Sequence, residues 1–188
     1  MSPDTIRSAF TMAAWGMVLA LFDFSFNGVV LTPDFIGYIL MAVGLGKLES
    51  LASQFGMFSR LAWILAPLSL GEYLKTSSPD LALVFLLLGL AVAVLQFVLL
   101  FSLCSAVEEA ALRAKCQGLV DRAVTCRALV LIFLVLGLVI LAVVSLRLVD
   151  LVIPVVIIGF IYSVVLIVML FLMLTWAGRE LSAESLTT

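Results

Sequence analysis

The 188-residue sequence contains no histidine and only three cysteines, and these shortages limit the chemistry open to it. Cys104, Cys116 and Cys126 form no Cys-x-x-Cys pair, so the usual ligand sets of zinc and redox centres are missing. The sequence also has no glycine-rich phosphate loop and no nucleophile placed beside a general base. We therefore expect a protein that is not an enzyme and that has no metal or cofactor.

Charged residues are scarce as well. They make up 12% of the chain, against 65% hydrophobic residues, and the mean hydropathy is +1.34. A soluble domain carries about a quarter of its residues as charges. The net charge is −2 and no basic face with interleaved aromatic residues occurs, so nucleic acid is not expected as a partner. The composition predicts a protein of the lipid bilayer.

Three long uncharged runs lie at 81–107, 128–146 and 151–178, and each approaches or exceeds the ~20 residues that a membrane-spanning helix needs. The uncharged runs of the first half, at 8–22, 35–46 and 61–71, are shorter. Because backbone groups in lipid must pair within the protein, we extend these runs into helices as well. The prediction is one all-α domain, 1–178, with six transmembrane helices at about 7–27, 33–54, 57–75, 79–106, 126–148 and 150–178. A cytoplasmic helical elbow is predicted at 107–125, and a disordered cytoplasmic tail at 179–188.

The distribution of basic residues predicts the orientation. With the N-terminus inside, the cytoplasmic side holds Arg7, Lys47, Arg60, Arg113, Lys115, Arg122, Arg127 and Arg179. The outer side then holds only Lys75 and Arg147. We therefore expect both termini in the cytoplasm, with the cysteines near the cytoplasmic ends of helices four and five. In an alternative, helices two and three form a re-entrant pair, which would leave Lys47 and Arg60 near the bilayer interior.

Two outer loops have the same chemistry at the start of the next helix. In "LTPDF", Thr32 is a helix cap, Pro33 suits the first helical position, and Asp34 lies where its charge meets the positive end of the helix dipole. "SSPDL" repeats the pattern at residues 77–81. Three helical hairpins, one per outer loop, are consistent with these signals. On the other side, Gly118 is predicted to end the cytoplasmic extension of helix four.

Small residues recur four positions apart, a spacing that lets helix backbones approach closely in lipid. Such pairs are Ala9/Ala13, Gly16/Ala20, Ala42/Gly46, Ala62/Ala66, Gly89/Ala93 and Gly159/Ser163. In helix two, Asp34, Gly37, Met41 and Gly44 fall on one face, which we expect to point into the bundle. Gly37, Gly44 and Gly89 are the predicted helix-packing positions.

Polar residues at membrane depth are the candidates for binding a ligand or coupling an ion. They are Asp23, Asp34, Tyr38 and Gln96. If Asp23 and Asp34 face one cavity, repulsion and burial favour protonation of at least one of them, the usual basis of proton coupling. In the alternative, Asp34 only caps its helix and Asp23 reaches the outer headgroups. For Gln96, the alternative is an interhelical hydrogen bond.

The run "PDFIGYILMAVGLGKLE" is similar to a motif of small multi-pass bacterial membrane proteins of uncharacterised function. In that motif, Pro-Asp-x-Ile-Gly-Tyr-x-Leu opens the second helix and a Gly-Leu pair follows. The resemblance covers about twenty residues and implies a bacterial cytoplasmic membrane and a role for Pro33, Asp34, Gly37, Tyr38 and Gly44. It implies no activity.

Two functions follow as hypotheses. The first is a small transporter or permease-like protein with an outward-facing polar cavity and a small-molecule or ion substrate. The second is a non-catalytic accessory or scaffold subunit that binds another membrane protein or a second copy of the chain. The glycine face of helix two distinguishes them: transport needs that face covered beside a polar cavity, whereas a bare face indicates a missing partner.

Overall fold

In a computed structural model, the chain is described at residues 1–21, 25–26, 29–30, 34–70, 79–146 and 149–184. The architecture is helical, as predicted, and these described residues form six helices and one short hairpin. The elements are α1 Pro3–Leu21, β1 Ser25–Phe26, β2 Val29–Val30, α2 Asp34–Lys47, α3 Ser53–Leu70, α4 Pro79–Arg113, α5 Gln117–Ser145 and α6 Val149–Glu184. Among the described residues, three segments are long and apolar enough to cross a membrane: Leu87–Arg113, Gln117–Val143 and Leu151–Ala183.

The helices are arranged in a ring. Each one packs on its neighbours in chain order, and α6 returns to pack on α1. The long helices α4, α5 and α6 measure about 44–54 Å at 1.5 Å per residue, whereas α1, α2 and α3 measure about 21–29 Å. The short helices therefore cover only part of the length of the long ones. Beyond the ends of the short helices, α4, α5 and α6 carry exposed Leu, Ile, Val and Phe side chains.

The core lies where all six helices overlap, and buried aliphatic and aromatic side chains fill it. Phe10 of α1 meets Phe55 of α3 edge to face, with ring centroids 5.9 Å apart, and both side chains are fully buried. Leu103 of α4 and Leu170 of α6 are fully buried in the same cluster. Edge-to-face pairs add about 0.5–1.5 kcal/mol to the burial of their area. The first half of the chain is thus held to the second by packing.

The predicted glycine face of α2 is covered by α1. A Cβ atom added at Gly44 would lie 2.8 Å from the amide nitrogen of Ala13 and 2.8 Å from the carbonyl oxygen of Ala9. At such distances a side chain would push the two backbones apart. Small residues of α1 therefore accept the α2 backbone, and the spacing of Ala9 and Ala13 in the sequence was the signal for this contact. The glycine face of α2 is thus not a bare surface that awaits a partner.

One end of the bundle, the charged end, is formed by the starts of α1, α3 and α5 and the ends of α2, α4 and α6. Three contacts show that these segments are level with one another: Lys47 Nζ lies 3.5 Å from Met12 Sδ, Gln54 binds Glu109, and Arg7 lies beside Gly178. Eight of the ten Lys and Arg residues belong to these segments, as the alternation of basic residues along the chain predicts.

The predicted ends of the first two helices were wrong. Helix α1 ends at Leu21 and α2 at Lys47, six and seven residues before the predicted ends at 27 and 54, whereas the predicted end of helix three, at 71–75, lies outside the described residues. Residues 25–26, predicted to be helical, pair instead with residues 29–30, in the register Ser25 to Val30 and Phe26 to Val29. The intervening Asn27-Gly28 is the dipeptide that favours two-residue hairpins, and this signal outweighed the apolar run. Between α2 and α3, residues 48–51 form a turn.

The predicted elbow also differs. Gly118 does not end helix four, because α4 ends at Arg113 and α5 begins at Gln117. Lys115 takes the left-handed conformation, with φ 52°, that a glycine commonly takes after a helix. Its amide donates to the carbonyl of Leu112 at 3.2 Å, and the amide of Cys116 donates to that of Ala111 at 2.9 Å. These are the two hydrogen bonds of a Schellman motif.

The C-terminal prediction is corrected in part. Residues 179–184, predicted to be disordered, continue α6 as far as Glu184, and Arg179 and Glu180 are exposed on its last turns. Residues 185–188 lie outside the described part. All three cysteines are free.

Candidate functional site

The predicted polar site around α2 is described only in part. Asp34 lies in the first turn of α2, half-buried, with its Oδ1 atom buried. Tyr38, one turn later, is 2% exposed. Asp23, Thr32 and Pro33 lie outside the described residues. Asp34 and Tyr38 therefore share one side of the start of α2, close to the crossing with α1, where Gly37 touches the backbone of Gly16.

Gln96 belongs to a different part of the bundle. It is half-buried in the middle of α4, which packs on α3, α5 and α6, whereas α2 packs on α1 and α3. Gly89 is also half-buried in α4. Helix α2 thus holds Asp34, Gly37, Tyr38 and Gly44, whereas the other two candidates, Gly89 and Gln96, lie on α4.

A polar network joins three helices at the charged end, and of its contacts the sequence indicated only the pair of Glu109 and Arg113, through their spacing of four residues. Gln54 of α3 donates from Nε2 to Glu109 Oε2 of α4 at 2.5 Å, and the other oxygen of Glu109 binds Arg113 one turn on. Beside them, Arg127 of α5 donates to Glu108 of α4 at 2.5 Å. That pair is only 34% and 20% exposed. The acids and bases of this region, predicted only as part of a cytoplasmic helical elbow, therefore hold α3, α4 and α5 together.

A second charged contact joins α5 to α6. The guanidinium carbon of Arg122 lies 3.4 Å from the centroid of the Trp176 ring. Arginine over the face of tryptophan is attracted by the ring quadrupole, by about 0.5–1 kcal/mol at an exposed site and more where water is excluded. Both side chains are half-buried. The contact fixes the last turns of α6 beside the first turns of α5.

An apolar groove lies between α5 and α6, in the part of these helices that the short helices do not cover. Its volume is about 370 Å³. The lining residues are Phe133, Leu136, Gly137, Ile140, Val156, Gly159, Phe160 and Ser163. A Cβ atom added at Gly137 would meet no other atom within 4 Å, so this side of the groove is open. The groove belongs to two of the three segments able to cross a membrane.

Contacts next to the groove hold its walls at a fixed spacing. The Tyr162 hydroxyl of α6 donates to the Leu129 carbonyl of α5 at 2.8 Å, and the rings of Tyr162 and Phe133 stack with centroids 6.3 Å apart. The sequence contained one signal for this surface, the Gly159/Ser163 pair, whereas the facing Gly137 was not singled out. Among the described residues, no group of three His, Cys, Asp or Glu side chains could hold a metal ion.

Comparisons of the chain with protein families, with characterised proteins and with solved structures find no match. The resemblance of the "PDFIGYIL" run to a bacterial family stays a prediction. The function must therefore be argued from the geometry of the chain itself.

Proposed function

We propose that the protein is a non-catalytic subunit of the bilayer that binds a transmembrane helix of another membrane protein in the groove between α5 and α6. One observation carries the proposal: a preformed, open and apolar groove lies within two spanning segments, with glycine on both walls. Helix association in lipid depends on close packing, which small residues permit. A groove of this kind accepts a helix more closely than the flat aliphatic surfaces around it do.

The membrane placement that goes with this proposal has six crossing helices with both termini in the cytoplasm of a bacterial cell. The collection of basic residues at the charged end supports it. The hydrogen bond between Gln54 and Glu109 supports it too, because it places the turn at 48–51 level with the end of α4. A re-entrant pair would instead leave this turn within the bilayer.

The groove is tested by filling it. Gly137→Leu adds a side chain into open space, since a Cβ there meets nothing within 4 Å. The matched control is Gly118→Leu, which adds the same atoms to the same helix, also in open space, but at the charged end. After gentle extraction from native membranes, native mass spectrometry should show one stoichiometric protein partner with wild type and Gly118→Leu, and less of it with Gly137→Leu. Equal retention by both variants, or lipid alone in the groove, contradicts the proposal.

A second candidate is ion-coupled transport, favoured by the buried Oδ1 of Asp34 beside the buried Tyr38. An acidic residue at membrane depth is a candidate for coupling to an ion or a proton. Asp34→Asn removes this chemistry while keeping the shape of the side chain. In liposomes, proton flux that is present in wild type and lost in Asp34→Asn supports transport, whereas equal flux in the two proteins excludes this role for Asp34.

A further inference from the structure

We propose that the outer face of α5 and α6 at the charged end binds the phosphate of an anionic phospholipid, through Arg122 and Arg179 on either side of Trp176. Arg122 lies over the Trp176 ring at 3.4 Å, and Arg179 follows Trp176 by three residues, on the same side of α6. Tryptophan prefers the level of the lipid headgroups, because its ring is apolar and its N–H needs a polar partner. The two guanidinium groups are therefore at the level of the lipid phosphates.

Among the described residues, neither arginine has an ion-pair partner. In the described part of the chain, the ion pairs are those of Arg113 with Glu109 and of Arg127 with Glu108. Arg179 is exposed, and Arg122 keeps its donors available although the ring covers one face of its guanidinium. A guanidinium presents several N–H donors in one plane and binds phosphate through two at once. Arg7, exposed on α1 with its Cα beside Gly178, borders the same surface.

Carboxylates on the same end limit the attraction to short range. Asp4, Asp121 and Glu180 are exposed there. Asp121 is next to Arg122 in sequence, which turns it about 100° away around α5. Glu180 follows Trp176 by four residues and therefore lies on the same side of α6 as Trp176, beside Arg179. The local net charge is therefore close to zero. This predicts selection of a phosphate that hydrogen-bonds to the arginines, with little general adhesion to any negative surface.

The surface is separate from the groove between α5 and α6. Ser163 and Trp176 are thirteen residues apart on α6, about 20 Å along its axis. The inference requires that the charged end lies at a membrane surface, but it does not require a protein partner. Failure of one proposal leaves the other standing.

The test measures lipid selectivity of the full chain. In detergent, the purified protein is titrated with equal amounts of phosphatidylglycerol and phosphatidylcholine, and native mass spectrometry counts the bound molecules of each. We expect wild type to prefer phosphatidylglycerol, and Arg122→Gln or Arg179→Gln to reduce that preference about fivefold each. The control Arg113→Gln removes the same charge from the same end, but Glu109 already neutralises that arginine, so the preference should stay unchanged.

Three outcomes overturn the proposal: no preference in wild type, equal losses in all three variants, or displacement of phosphatidylglycerol by inorganic phosphate at the same concentration. The last would show an anion site that does not recognise lipid. Arg179 is exposed, so Arg179→Gln keeps the test decisive if Arg122→Gln lowers stability through its lost ring contact.

Discussion

Gly16 and Gly37 face each other where α1 crosses α2. A Cβ added to Gly16 would lie 2.6 Å from the carbonyl oxygen of Gly37, and a Cβ added to Gly37 would lie 2.6 Å from the carbonyl oxygen of Gly16. The two backbones therefore touch with no side chain between them. This reciprocal contact holds the hairpin of α1 and α2 together and places Asp34 and Tyr38 next to α1.

Gly37→Ala should destabilise the protein, although alanine is the better helix former. The new methyl group meets backbone atoms that cannot rotate away, and such overpacking costs roughly 1–3 kcal/mol. Gly118→Ala, whose Cβ meets nothing within 4 Å, should instead be neutral or stabilise by up to about 1 kcal/mol. Thermal unfolding in detergent measures both, and equal midpoints would show that α1 and α2 are less tightly packed than described.

Lys115→Gly should stabilise the turn between α4 and α5. Lys115 has φ 52°, a conformation that costs a residue with a Cβ about 1–2 kcal/mol and costs glycine little. Lys115→Ala is the control, because it removes the charge and keeps the strain. A rise in unfolding temperature for glycine but not for alanine is expected. If both variants gain equally, the effect comes from the charge and not from the backbone.

The pair of Arg127 and Glu108 should contribute more to stability than the neighbouring pair of Arg113 and Glu109. The first is 34% and 20% exposed and joins two helices, whereas the second is 63% and 38% exposed and lies within α4. Double-mutant cycles with Met for Arg and Gln for Glu should give a coupling of about 1–3 kcal/mol for the first pair, between the usual surface and buried values. For the second we expect about 0.3–0.5 kcal/mol. A reversed order would contradict the assigned role of the α4–α5 contact.

Ser50 tests the orientation, because it is exposed in the turn between α2 and α3. Ser50→Cys, in a chain whose three cysteines are replaced by alanine, should react with a membrane-impermeant maleimide in inverted vesicles and not in intact spheroplasts. The physical reason is the excess of basic residues at this end. Labelling from the outside would reverse the topology, and labelling from neither side would favour the re-entrant arrangement.

The sequence predicted what local patterns control. Long apolar runs indicated α4, α5 and α6, and the spacing of Ala9, Ala13, Gly37 and Gly44 indicated that two helices touch closely. Helix ends were less predictable. Lys115, just after the end of α4, takes the left-handed conformation, for which glycine was the expected residue.

Contacts between distant residues could not be predicted. Nothing near Glu108 in the sequence indicates Arg127, which lies nineteen positions away on the next helix. The groove could not be predicted for the same reason. Gly159 and Ser163 indicated one wall, but the opposite wall depends on how α5 and α6 are rotated relative to each other. The hydrogen bond from Tyr162 to Leu129 fixes that rotation. Such pairings arise from the packing of the whole bundle.

The most direct test of the proposed function is photo-cross-linking from the groove in living cells. A benzoylphenylalanine in place of Phe160, which lines the groove and is 65% exposed, lies at the groove, while the same residue at position 94, where Val94 is 54% exposed on α4, faces the surroundings. We predict that position 160 gives one discrete protein adduct, that position 94 does not, and that Gly137→Leu, which fills the groove, abolishes the adduct. Cross-links from position 160 to lipid alone, or the same protein adduct from both positions, would contradict the assignment of the groove.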